Sequence, residues 1–424
     1  MPAKDHCQGF SGKNLNFIVS GVLYHILIHT DRYRMMKEKI LKLNDIKSAN
    51  LSAVLDLLLQ SDGLSRIELA RKMGCDNTTV SRAVRELIDR GIVIPGEKTG
   101  QEHGRPRVML RLNPDGPALI GISLEADRIT GVLADLRGEI RNRDQVVFNA
   151  LPKREEFLEQ IRAVLRRLKQ AAGERLTGIG VAVFGSYSGP DYVMENAAAL
   201  PSLNGLNLRG FLEDAAETEP VICDHMVARM SFLTRKFQEF NTGTVMLISA
   251  DSGIGSLISE NGRFLFARNH HSGELGHTIC IPDGPLCGCG RRGCLETVAS
   301  GHALLQRCRG RLRMPGLNFE QLCLRFQDGD PKVVKETAAA AAYLGIAVSN
   351  QINSCPVDRL ILTGRMLELG EKFQSMLAEK IDAIAFPSVK EALTLRFIRL
   401  DQEHSLARGA AIFAGRFSGL FRRP

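Results

Sequence analysis

One histidine and three cysteines, His277, Cys287, Cys289 and Cys294, fall within a single segment rich in glycine and proline. Thiolates and imidazole are the donors that Zn²⁺ takes in tetrahedral Cys₃His sites. Cys-x-Cys-x₄-Cys in a turn-rich stretch is a poor way to fill a core, so the set predicts one structural Zn²⁺ per chain. Four protein ligands leave no open position for water, and the predicted role of the metal is to shape a loop. Glu274 precedes His277 by three residues and Glu296 follows Cys294 by two, so the same staple would hold two carboxylates.

The stretches Glu274-Leu275-Gly276-His277 and Cys287-Gly288-Cys289-Gly290-Arg291-Arg292-Gly293-Cys294-Leu295-Glu296 resemble the ROK family, which groups sugar-responsive repressors with sugar kinases. In that family the metal-braced loop sets acidic side chains against sugar hydroxyls, which would make Glu274, His277 and Glu296 ligand-binding residues. The resemblance also implies an α/β fold of the actin and hexokinase kind, two lobes with the ligand cleft between them. Residues 220–229 are similar to a kinase segment whose aspartate takes a proton from the sugar hydroxyl, and Asp224 holds that place. Without a phosphoryl donor Asp224 would accept a hydrogen bond from a hydroxyl; the plainer alternative is an aspartate capping a helix. Cys223, Met226 and Ala199 replace asparagines of the kinases, so the expected effector is a sugar, a phosphosugar or a protein. Residues 185–189 would form the other wall. Arg229 and Arg291 could meet a phosphate but read as solvated surface residues.

The kinases of the family open with Asp-x-Gly-Gly-Thr-Lys, whose glycines let backbone N–H groups approach phosphate. Here Ser123, Glu125, Ala126, Asp127 and Arg128 take the matching positions and put negative charge where phosphate would lie. A Gly-x-Gly survives at Gly253 and Gly255, and Arg365 stands where adenosine would pass. The expectation is a degenerate sugar-kinase-like domain lacking the ATP phosphate-binding glycines, not an enzyme. The competing expectation is an active ATP-dependent ROK sugar kinase with an appended DNA-binding domain, favoured by Asp224, Glu274, His277 and Glu296.

The amino-terminal third has its own pattern. Ile46, Leu51, Val54, Leu55, Leu58 and Leu59 recur at helical spacing. Ser65-Arg66-Ile67-Glu68 is a capping box that opens a second helix ended by Gly74, and Asp76 opens a third that runs to Gly91. The turn between the second and third helices makes a helix-turn-helix, with Thr78, Thr79, Ser81, Arg82 and Arg85 as candidates for DNA contact. A strand over 92–94, a polar loop over 96–103 and a return strand to Leu112 predict a wing, which offers Lys98, Arg105 and Arg107 to phosphates or the minor groove. The fold class expected is therefore α/β, a winged helix-turn-helix followed by a two-lobed actin/hexokinase-like domain.

The expected organisation is an extension over 1–43, the winged helix over 44–112, a linker over 113–117 and the kinase-like domain over 118–424, its last helix near 405–417 returning to the first lobe. The chain of 424 residues carries a net charge of +8, which permits contact with nucleic acid without establishing it. Beyond the cluster, the remaining seven of ten cysteines are scattered, which fits a reducing cytoplasm better than a disulfide scaffold. The apolar run over 17–28 is interrupted by His25 and is shorter than the roughly 20 residues a membrane span needs, so no membrane insertion is expected. Met35 or Met36 could be the true initiator. The expected partners are a double-stranded DNA operator, the effector, and further copies of the chain in a homodimer or homotetramer, because helix-turn-helix proteins read paired half-sites.

Overall fold

The computed structural model describes residues 43–99, 107–197, 199–265, 273–400 and 404–416. The extension up to residue 42 and the wing tip with Arg105 lie outside them. Helices α1 (Leu43–Leu59), α2 (Arg66–Met73) and α3 (Asn77–Asp89) precede the antiparallel pair β1 (Val93–Thr99) and β2 (Arg107–Leu112). The capping box forms: Ser65 Oγ accepts from the Glu68 N–H, while Glu68 Oε2 accepts from the Ser65 N–H at 2.8 Å. Gly74 closes α2 at φ 64°, a left-handed turn that a side chain would strain. Val54, Leu55 and Leu58 bury against Leu69, Val80, Val84, Leu87 and Leu110. Strand β1 runs on past the expected end at Ile94 to Thr99, because a register shift between Pro95 and Lys98 lets the pairing pass the proline, which has no N–H to give.

Next come β3 (Ala118–Glu125), β4 (Arg128–Asp135), β5 (Ile140–Val147), α4 (Arg154–Ala172), β6 (Leu176–Val183), β7 (Ser186–Ser188), β8 (Val193–Asn196), α5 (Leu208–Ala216) and β9 (Val221–Asp224). The first lobe is the sheet β5-β4-β3-β6-β9, antiparallel at β5, β4 and β3 and parallel from β3 onward. Helix α6 (His225–Lys236) then leads into β10 (Thr244–Ala250), β11 (Ile254–Glu260) and β12 (Arg263–Leu265). After the cysteine segment follow α7 (Glu296–Ala299), α8 (Gly301–Leu312), α9 (Phe319–Gln327), α10 (Pro331–Ser354), β13 (Arg359–Thr363), α11 (Glu371–Ile384), α12 (Pro387–Ala392), β14 (Thr394–Phe397) and α13 (Ser405–Gly415). The second sheet, β12-β11-β10-β13-β14, repeats the strand order and directions of the first, so the body is one plan used twice.

Helix α13 lies on the first sheet, as expected for the last helix. Gly121 and Gly180 make this approach feasible, since a Cβ on either would run into the backbone carbonyls of Ala407 and Ala410. Between the lobes, α6 sits in an apolar cluster that draws Ala182 and Cys223 from one sheet and Val245, Leu247, Leu257 and Ile361 from the other. The winged helix is packed onto the body rather than tethered to it. Leu119, Ala134, Leu136 and Ala411 belong to its core, Arg137 donates to the Ser61 carbonyl at 2.7 Å and pairs with Asp62 at 3.3 Å, and the Asn113 side chain donates to the Gly91 carbonyl.

Candidate functional site

The cysteine segment is short of core of its own, and two backbone bridges hold it, Ile279 with Cys294 and Leu286 with Arg292. One donor atom each from His277, Cys287, Cys289 and Cys294 lies within 4.8 Å of all the others. His277 Nδ1 is 3.5 Å from Cys287 Sγ, and Cys289 Sγ is 3.7 Å from Cys294 Sγ. The other ring nitrogen, Nε2, faces Glu274 at 3.9 Å. Burial pushes the Cys287 thiol up and that of Cys294 to about 12; at Cys289 burial acts the same way but is outweighed by hydrogen bonds from Arg291, which hold it near 6. Crowded sulfurs cannot all ionise alone, whereas a divalent cation would neutralise them, so the donor set could hold a metal ion.

Two buried leucines set the carboxylates that flank the cluster. Leu275 and Leu295 are buried in the second lobe's core, and their chain neighbours Glu274 and Glu296 are thereby set around the start of β11. Glu296 Oε2 accepts from the Ile254 N–H at 3.2 Å and fills the space that a Cβ on Gly253 would need. Gly273 bridges Ser256 on the same strand. Glu274 is largely exposed, its side chain retaining 63% of its surface.

Asp224 ends β9 and caps α6, accepting from the Val227 N–H at 2.8 Å, and it is only 9% exposed. The cap reading is therefore realised. One residue on, the His225 ring bonds the Leu124 carbonyl at 2.9 Å; burial first, then the Arg229 charge, lowers its pKa to about 4 and keeps it neutral. The α6 start meets β11 through Met226, which packs on Gly255. Arg229 is not a solvated surface residue: it is 5% exposed and its Nη2 donates to Asp251 Oδ2 at 2.8 Å. The first contribution missed from sequence is thus the Arg229–Asp251 pair, joining the helix begun at Asp224 to the turn that carries Gly253. Asp251 stood beside the Gly-x-Gly and could have been flagged; nothing in the sequence marks Arg229.

Glu125, at the end of β3, shares this volume. Burial pushes its carboxyl up to about 7; Asp127 and Asp251 add to the shift, against the opposing charges of Arg128 and Arg229. At the third expected nucleotide position, Arg365 stacks its guanidinium 4.8 Å from the Phe319 ring centre and pairs with Glu368 at 3.6 Å. Tyr187, on the expected opposite wall, is buried with its phenol pushed far up by that burial.

On the winged helix, Thr78, Arg82 and Arg85 are exposed on α3 and Thr79 and Ser81 are half-buried, while Val80, Ala83, Val84 and Leu87 face inward. Thr79 is less free than its position promised, since its hydroxyl donates to Asp76 Oδ2 at 2.7 Å and its N–H to Oδ1 at 2.8 Å. Arg107 is exposed at the start of β2.

The winged helix and the two-lobed body recur together in known proteins. The ROK family profile matches residues 119–416 and the MarR family profile residues 48–94. This chain belongs to the ROK family, with a MarR-like winged helix at its amino-terminal end. It is 24% identical to the xylose repressor of Bacillus spizizenii, over 82% of this chain and 91% of that protein. It is 23% identical to the N-acetylglucosamine repressor of Escherichia coli O6:H1, over 86% of this chain and 92% of that one. Among solved structures, a ROK family transcriptional regulator described as a homologue of the E. coli MLC protein superposes with a TM-score of 0.73 at 24% identity, over 89% of this chain and 98% of its own. Among the described residues no helix is long and apolar enough to cross a membrane.

Proposed function

We propose that this chain is a sequence-specific DNA-binding repressor of carbohydrate-metabolism genes, controlled by a sugar-class effector in a non-catalytic kinase-like body. The observation that carries the reading is the packing of a winged helix directly onto the first lobe through Leu119, Ala134, Leu136 and Ala411. Movement of that lobe on ligand binding would reorient the DNA-reading helix. The names of the relatives, xylose repressor and N-acetylglucosamine repressor, support the same class.

In this reading Thr78, Thr79, Ser81, Arg82 and Arg85 meet the major groove, and Arg105 and Arg107 reach the backbone or minor groove from the wing. Asp224, Glu274, His277 and Glu296 face the effector. His277, Cys287, Cys289 and Cys294 hold Zn²⁺, which braces the loop that carries Glu274 and Glu296. Glu125 and Arg365 at nucleotide positions favour a body that does not use ATP. The protein works in the cytoplasm as a dimer or tetramer, reading two half-sites.

Selection of bound sequences from random DNA by the full chain tests the reading. A selectable operator is expected, with binding lost on removing residues 44–112. No selectable sequence, or selection indifferent to that deletion, would refute the repressor reading, and sugar-dependent ADP formation abolished by Asp224→Asn would promote the kinase alternative.

A further inference from the structure

Near the start of α6, the buried polar atoms without a hydrogen-bond partner include Glu125 Oε1 and Arg229 Nη1. Orphaned groups of this kind are uncommon in folded proteins and call for an explanation. Both belong to one charged neighbourhood. His225 ties the start of α6 to the Leu124 carbonyl, next to Glu125, and Arg229 lies one turn further along the same helix, anchored on Asp251. One orphan is an acceptor and the other a donor, and they do not bond each other. A ligand group that satisfies both must donate and accept, which a sugar hydroxyl does and a phosphate dianion does not.

Charge points the same way. Glu125, Asp127 and Asp251 place three carboxylates around the spot, against the guanidinium groups of Arg128 and Arg229. Asp251 and Asp127 already engage those two arginines, at 2.8 and 3.4 Å. Above about pH 7, where Glu125 is ionised, a phosphate entering here would meet an excess of negative charge.

We propose that Glu125 and Arg229 form a further hydroxyl-binding contact beside Asp224, making this chain selective for an unphosphorylated sugar over its phosphate ester. The assignment rests on the cleft being the effector site. Glu125 accepts from a ligand hydroxyl and Arg229 donates to it, while the surrounding carboxylates reject the ester.

The test measures thermal shift and operator release by the full chain with D-xylose, D-glucose and N-acetylglucosamine, each paired with its terminal phosphate. At least one parent sugar is expected to bind about tenfold or more tightly than its phosphate, since a site built to hydrogen-bond a hydroxyl rejects a ligand that cannot reciprocate. Glu125→Ala should weaken that sugar about tenfold, and Glu125→Gln, which removes the charge but keeps an acceptor, should narrow the preference over the phosphate. Operator affinity without ligand checks that each variant is folded, and the ratio of the two ligands is a readout that a merely structural role would not move. A phosphate ester that binds wild type more tightly than its parent, or a sugar indifferent to Glu125→Ala, overturns this assignment and leaves the effector site standing. If no member of the panel binds, the effector-site reading falls and takes this one with it.

Discussion

Arg229 Nη2 and Asp251 Oδ2 lie 2.8 Å apart and join the helix that begins at Asp224 to the turn against which Glu296 is set. Arg229 is 5% exposed, so this partner offsets much of the cost of burying its charge. Removing one member of a buried pair strands the other, whereas replacing the pair by apolar groups need not cost stability. Asp251→Asn is expected to destabilise the protein by about 3 kcal/mol in denaturant unfolding, and adding Arg229→Met should restore much of that loss. An Asp251→Asn chain as stable as wild type would show that the pair is solvated.

Glu125 makes stability depend on pH. Its carboxyl titrates near 4.5 when unfolded and near 7 in the folded chain, where burial disfavours the charge. The native state therefore holds the extra proton between these values, and the stability it brings is present at low pH and lost as pH rises toward and through 7. Glu125→Gln stays neutral throughout. Its Tm relative to wild type should rise by roughly 1–3 °C between pH 5 and pH 8. A constant difference would mean that the carboxyl is not buried as described.

Two apolar side chains of the cysteine loop, Ile279 and Leu286, are exposed rather than packed, so a bound metal should govern its stability. Purified protein is expected to carry close to one equivalent of zinc, with Cys289→Ser well below that and a lowered Tm. Full zinc occupancy in Cys289→Ser, with unchanged response to ligand, would remove Cys289 from the donor set.

On DNA, the exposed Arg82 of α3 and the exposed Arg107 of the wing should behave differently. A base-edge contact is worth about 1–3 kcal/mol of discrimination, while a phosphate contact lowers affinity for every sequence and flattens the salt dependence. Arg82→Ala is expected to relax sequence preference, and Arg107→Ala to weaken all sites alike with a shallower salt slope. Swapped phenotypes would reverse the assignment of helix and wing.

What the sequence disclosed was local. The capping box at Ser65 and Glu68, the αL stop at Gly74 and the four donors around His277 are spaced within a few residues, so residue type alone announces them. The doubled lobe was reached through resemblance, and the structure bears it out in two sheets of one order. What stayed hidden depends on contacts between distant segments. Arg229 reads as one more surface arginine until the fold brings Asp251 to it, and Leu119 or Ala411 cannot be seen as winged-helix core before the modules are packed. Nor does residue type announce that the N-cap Asp76 takes the hydroxyl proton of Thr79. At Asp224 the structure shows the cap, and the effector contact belongs to the proposal.

The central claim is that ligand binding in the cleft controls DNA binding by the winged helix. Fluorescence anisotropy of the full chain on its selected operator, titrated at fixed salt with and without a saturating sugar that binds, tests it most directly. A ligand that prefers the non-binding arrangement must shift the population toward it. The account predicts an operator Kd raised about tenfold or more by the sugar, with Glu296→Gln bound to operator as before but no longer released. An operator Kd unchanged by a sugar that demonstrably occupies the cleft would contradict it.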